Sequence, residues 1–151
     1  MKSPDSGQGF CFSAIWNVLY ERYDRVWALA DFMRMTPRHI VETWIERFNA
    51  GDAAGLAELY HPDAINHQVT QDPIKGRDAI RATFEREFST AEMVCIPEVI
   101  HEAGNVAALE WRDPLGLRGC GFFTVDEGLI TFQRGYWDKL SFLKMHGLPI
   151  E

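Results

Sequence analysis

Asp113 and Asp138 are the two carboxylates placed where a small pocket could use them. Over residues 105–113, Ala107, Leu109, Trp111 and Asp113 share one side of an extended chain, and Val106, Ala108, Glu110 and Arg112 share the other. The first set is the more apolar. It therefore turns inward and carries Asp113 to the rim of the interior, beside Trp111. A carboxyl group partly withdrawn from water has its pKa raised toward the range that suits a general acid or base. Asp113-Pro114 is also a turn opening, where aspartate serves the backbone, so a structural role stands beside the chemical one. Asp138 ends the segment 129–138, in alternation with Ile130, Phe132, Arg134 and Tyr136. It too has an ordinary role, as cap of a following helix.

The histidines give less. His67 lies between Asn66 and Gln68 but on the opposite side of an extended chain from both. A pocket histidine would be a proton shuttle, yet a structural or surface role is the plainer expectation. His61 reads as a helix-end residue, and His39, His101 and His146 carry no pattern. No two histidines have helical ligand spacing and no cysteine pair assists them, so no metal site is expected. Tyr60 and Tyr136 are candidates to project phenols inward, against a default of core packing.

Charge and cysteine usage remove several classes of function. Lys and Arg number 15 against 22 Asp and Glu, a formal charge of −7, and no basic run occurs. A phosphate-tracking surface needs clustered positive charge, so nucleic acid is not an expected partner. The three cysteines, Cys11, Cys95 and Cys120, are scattered and odd in number. They form no disulfide framework and suit a reducing compartment, which makes the cytoplasm the expected location. No apolar run reaches the roughly 18 residues of a membrane span. The apolar stretch before Ala28-Leu29-Ala30 is separated from it by Glu21, Arg22, Asp24 and Arg25, against the pattern of a signal peptide.

The elements that must position these residues follow from periodicity. Residues 1–10 are Ser, Gly, Pro and Gln rich and are expected to be disordered. Residues 13–34 have near-helical apolar spacing, and 1–34 as a whole is expected to be an extension to a domain spanning 35–151. Thr36 and Pro37 open a helix over 37–49 with the stripe Ile40/Val41, Trp44/Ile45, Phe48. Asp52 caps a short helix carrying Leu56, Leu59 and Tyr60, which His61-Pro62 ends. A strand over 64–69 and a helix over 77–89 come next. From residue 91 the period becomes two, with strands expected over 92–102, 105–113, 118–126 and 129–138, joined by short turns. A last helix, capped by Asp138, runs over 139–146. Helices first and an antiparallel meander later predict an α+β fold with helices on one face of the sheet.

Several strings in this order resemble the nuclear transport factor 2-like superfamily. Phe48-Asn49-Ala50-Gly51-Asp52 with Leu59-Tyr60-His61-Pro62-Asp63-Ala64 resembles its two-helix opening, and Gly76-Arg77-Asp78-Ala79-Ile80 the start of its third helix. Gly121-Phe122-Phe123 through Asp126-Glu127-Gly128-Leu129-Ile130 to Tyr136-Trp137-Asp138 resembles its last hairpin. Within the superfamily the chain looks closest to the SnoaL-like and limonene-epoxide-hydrolase-like branches, from Thr36 to Pro149. The resemblance implies a cone-shaped, mostly antiparallel sheet around an internal cavity, and a homodimer formed through the sheet. It also implies acid–base chemistry by pocket carboxylates without a metal or organic cofactor.

In the epoxide-hydrolase-like pattern, carboxylates at the positions of Asp113 and Asp138 partner each other with an arginine between them. This chain has Trp111 where that arginine would stand, and Asn66 and Gln68 in place of a tyrosine and an asparagine that hold water. Limonene-type epoxide hydrolysis itself is therefore not what these residues best support. The expectation is an isomerase, cyclase, dehydratase or epoxide-hydrolase-like enzyme acting on a compact apolar molecule. Asp113 and Asp138 are its acid and base. Asn66, Gln68, Trp111, Tyr136 and Arg134 contact the substrate, and Trp44, Phe84 and Phe122 form the apolar wall. The rival expectation is a non-catalytic ligand-binding or dimerisation module of the same fold.

Overall fold

A computed structural model describes residues 35–150. The helix expected over 13–34 lies outside the described residues. Thr36 accepts a hydrogen bond from the His39 backbone N–H and Pro37 takes the first position of α1, Pro37–Asn49. Its stripe Ile40, Val41, Trp44 and Ile45 is buried. Asp52 accepts from the Gly55 N–H at 2.8 Å and caps α2, Ala53–Glu58.

The sheet claims the next residues earlier than periodicity suggests. Strand β1, Tyr60–Gln68, begins at Tyr60 rather than at residue 64, because Tyr60 pairs with Ile130 of the last strand and is fully buried. His61 and Pro62, expected to end a helix, sit instead where the β1 ladder is irregular, between Tyr60 and Ile65. There a proline lacking an N–H is tolerated. Strand β2, Ile74–Lys75, is too short to show a period and pairs with Ile65 and Asn66. Helix α3, Arg77–Thr90, buries Ile80 and Phe84 and carries the expected Arg81–Glu85 pair at 2.7 Å.

The remaining strands are β3, Ile96–Ala103; β4, Val106–Arg112; β5, Arg118–Asp126; and β6, Leu129–Trp137. Strand β3 starts four residues later than expected. Asn49 holds both the N–H and the C=O of Cys95, at 2.7 and 2.9 Å, so the approach to the strand is tied to α1 instead of to a neighbour. The six strands form one sheet in the order β2-β1-β6-β5-β4-β3, parallel only between β1 and β6. The β5–β6 turn puts Glu127 and Gly128 both at positive φ, 48° and 77°. That is the backbone a tight right-twisting hairpin needs. Helix α4, Lys139–Met145, closes the described part of the chain behind Asp138.

Helices α1 and α3 pack on one face of the sheet. Trp44 stacks on Phe48 at 4.8 Å and meets Phe123 of β5 edge-on at 5.4 Å, while Phe84 and Phe88 stack at 5.7 Å. The expected alternation of β4 holds: Ala107, Leu109 and Asp113 are buried, Trp111 is half-buried, and Glu110 and Arg112 are exposed. Strand β6 departs from simple alternation. Val125 pairs with Ile130 but Thr124 pairs with Phe132, so Thr131 is an extra residue and the faces exchange there. Ile130 points inward, and beyond the bulge it is Gln133 and Gly135 that are buried, with Arg134 and Tyr136 exposed.

Candidate active site

The bulge in β6 turns a row of polar side chains toward the helices. Asn66 of β1 pairs in register with Gln133 of β6, and both are buried. Buried amides of this kind need partners. Gln68 donates from Nε2 to Asn66 Oδ1 at 3.0 Å and accepts at Oε1 from the Trp137 indole N–H at 3.2 Å. Its side chain lies across Gly135, where an added Cβ would fall on the Gln68 amide. The next inner row repeats the device: a Cβ on Gly119 would sit 2.5 Å from the Trp111 ring. Two glycines thus let two large side chains lie flat on the sheet.

Deeper in, Trp44 Nε1 donates to Tyr60 Oη at 2.9 Å, and Tyr60 donates to Gln133 Oε1. Burial pushes the Tyr60 pKa up, only partly offset by the Trp44 N–H and reinforced by the charge of Glu87, so the phenol stays neutral. Glu87, half-buried on α3 between Phe84 and Phe88, has its own carboxyl pKa raised by burial, with Arg86 opposing. Nothing in its sequence context distinguishes Glu87 from the other charges of that helix.

At the end of β4, Asp113 is buried and accepts from the Leu117 N–H at 2.8 Å, closing the expected turn. Its second oxygen lies 2.9 Å from His146 Nε2. Burial raises the Asp113 pKa, but the His146 hydrogen bond and the Leu117 and Leu115 N–H groups outweigh it and hold the carboxyl below its ordinary range. The expected upward shift is thus reversed: a carboxylate that accepts this many hydrogen bonds favours its charged form. An ionised Asp113 only accepts, so Nε2 carries the proton and donates, and Nδ1 is left as an acceptor. His146 Nδ1 has no partner among the described residues. Phe142 packs on the imidazole at 4.4 Å and on Trp137 at 5.4 Å, linking this pair to the amide row. Nothing in the sequence pattern marks His146, which meets Asp113 only because α4 folds back on the end of β4.

Asp138 is brought to the other end of α4. It is exposed, accepts from Leu140 N–H at 2.9 Å and from the Ser141 hydroxyl at 2.7 Å, and is held below the ordinary carboxylate range by those bonds, Ser141 first. It caps the helix that delivers His146, and no hydrogen bond joins it to Asp113. Of the other expected contact residues, Asn66, Gln68, Trp111, Trp44 and Phe84 lie on the helix-facing side. Arg134, Tyr136 and Phe122 do not. They line, with Cys120, a shallow depression of about 490 Å3 on the opposite face of the sheet. The bulge at Thr131 is the reason for Arg134 and Tyr136, and Phe122 follows from its pairing with Arg134 while Phe123 takes the core. Among the described residues no three His, Cys, Asp or Glu side chains converge as metal ligands. No helix among them is long and apolar enough to cross a membrane.

A curved, mostly antiparallel sheet with helices on its inner face, a buried amide row and an aspartate–histidine pair at its rim defines a small α+β domain of the cone type. Residues 41–133 match the SnoaL-like domain family. The chain belongs to that family. A hypothetical protein with a ketosteroid isomerase-like fold from Catenulispora acidiphila, solved with trimethylamine, is 18% identical with a TM-score of 0.67 over 76% of this chain and 95% of that one. An epoxide hydrolase/cyclase-like enzyme with a role in pyran ring formation in the polyether salinomycin is 24% identical, with a TM-score of 0.62 over 69% and 92%. A nuclear transport factor 2-like protein of unknown function from Cytophaga hutchinsonii is 15% identical, with a TM-score of 0.63 over 72% and 96%. At these identities the likeness is one of fold.

Proposed function

We propose that this SnoaL-like domain is a cofactor-free acid–base enzyme acting on a compact apolar molecule with one polar centre. The observation that carries the reading is the Asp113–His146 pair: a buried, ionised carboxylate fixes one imidazole nitrogen and leaves the other to exchange a proton. Asp113 and His146 move the proton. Asn66 and Gln68 orient the substrate, Trp111 packs against it, and Trp44 and Phe84 form the apolar wall. Asp138 positions His146 through the cap of α4. The reaction class is isomerisation, cyclisation, dehydration or epoxide opening, and the similarity to the salinomycin enzyme supports cyclisation and epoxide opening.

A non-catalytic binding module is the second reading, favoured by how densely Trp44, Phe48, Phe84, Phe88 and Phe123 fill the space under the helices. A panel of epoxides, enones and polyketide-like ketones separates the two. Turnover of at least one class supports the enzyme, whereas inactivity on all of them with an apolar ligand retained supports the module. We also propose a homodimer through the outer face of the sheet, where Val99, Phe122 and Tyr136 are exposed. Phe122→Glu is expected to give a monomer by light scattering, and an unchanged mass in parent and variant counts against it.

A further inference from the structure

The orientation of the two amides that meet in register, Asn66 and Gln133, is dictated from a distance. An indole N–H donates and cannot accept. Trp137 therefore requires the oxygen of Gln68, which turns the Gln68 nitrogen onto Asn66 Oδ1 and leaves the Asn66 NH2 unspent. From the other side Trp44 donates to Tyr60, Tyr60 donates its hydroxyl to Gln133 Oε1, and the Gln133 NH2 is left unspent in turn. Both residues are only 4% exposed, and neither nitrogen has a partner among the described residues. Yet no described side-chain nitrogen or oxygen is sealed from solvent without a partner. Each NH2 group therefore opens onto space that a small atom can reach. Two hydrogen-bond chains, each anchored on a tryptophan, end at neighbouring positions in donors alone.

We infer that Asn66 and Gln133 form a binding site for one oxygen acceptor of the ligand, such as a carbonyl, enolate or phenolate oxygen, and that the site rejects an ammonium group. Donors converging in a place of low dielectric bind an oxygen more strongly as it becomes negative. A cation there would meet the positive ends of both amide dipoles. This names the polar centre of the substrate in the acid–base reading and rests on that reading for any reaction, but the binding itself does not depend on turnover.

The test uses the whole protein with three probes of one shape: naphthalene, 2-naphthol and 2-naphthylmethylammonium. The ionisation of 2-naphthol is followed by its near-ultraviolet absorbance, which reads the ground state. Naphtholate is expected to bind at least about tenfold tighter than naphthalene, and the ammonium no better than naphthalene. Gln133→Glu keeps the acceptor for Tyr60, and Asn66→Asp keeps the acceptor for Gln68, so each preserves the inner hydrogen bond and turns the free donor into a carboxylate oxygen that repels an anion. Each is expected to abolish the naphtholate preference while naphthalene affinity stays. Equal affinity of the parent protein for naphthalene and naphtholate, or no binding of naphtholate, overturns the inference without any variant. So does a preference that survives both substitutions. A protein that selects naphtholate but turns nothing over keeps this site and loses the catalytic reading. One that turns over substrate through Asp113 and His146 with no oxygen preference does the reverse.

Discussion

At the scale of single residues, the two aspartates separate by what they touch. Asp113 is buried, with its carboxylate on His146 and the Leu117 N–H, while Asp138 is exposed and holds the first turn of α4. The Asp113 pKa is depressed in the folded protein. Its contribution to stability is therefore present above the unfolded value near 4 and is lost as pH falls through the lower folded value. Thermal melts between about pH 6 and 2 are expected to show a steeper acid loss in the parent than in Asp113→Asn, and parallel curves would contradict that placement. Asp138→Ala is expected to lower kcat, because the helix that carries His146 loses its cap. Asp138→Asn, which still caps, is expected to restore it. If Asn fails to rescue while the fold is intact, Asp138 has a chemical role of its own.

At the scale of elements, the strands decide which residues share a space. Gly135→Ala would drive a Cβ onto the Gln68 amide. It is expected to cost about 1–3 kcal/mol in denaturant unfolding and to break the Trp137–Gln68 bond. A neutral result would mean that the amide row is slack. The contrast between β4 and β6 shows how far the sequence could be read. Strand β4 is regular, so the alternation of Ala107, Leu109, Trp111 and Asp113 located the inner face directly. Strand β6 contains an extra residue at Thr131, which exchanges its faces, so alternation counted from Ile130 put Arg134 and Tyr136 inside and concealed Gln133 and Trp137. Periodicity carries no mark of a bulge formed by pairing with a strand distant in the chain. His146 was hidden for a related reason, since its partner lies 33 residues earlier and only the fold joins them.

At the scale of the molecule, the elements from Pro37 onward form one sheet with its covering helices, and the order of helices, turns and strands, β2 apart, was legible from caps, glycines and periods. What composition could not convey is how closely Trp44, Phe48, Phe84, Phe88 and Phe123 interlock under the helices. A chain beginning at Met35 is expected to remain soluble and to unfold cooperatively in a thermal melt. Aggregation, or a large fall in Tm, would show that residues 1–34 are needed by the core. The central claim is that Asp113 and His146 together move a proton for a small-molecule reaction. Its most direct test is the turnover of Asp113→Asn and His146→Gln beside the parent, on whichever epoxide, enone or ketone the parent converts, with circular dichroism and melting checked for each. Both variants are expected to fold and to lose roughly 10²–10⁴-fold in kcat. Near-parent rates in both folded variants would contradict the account.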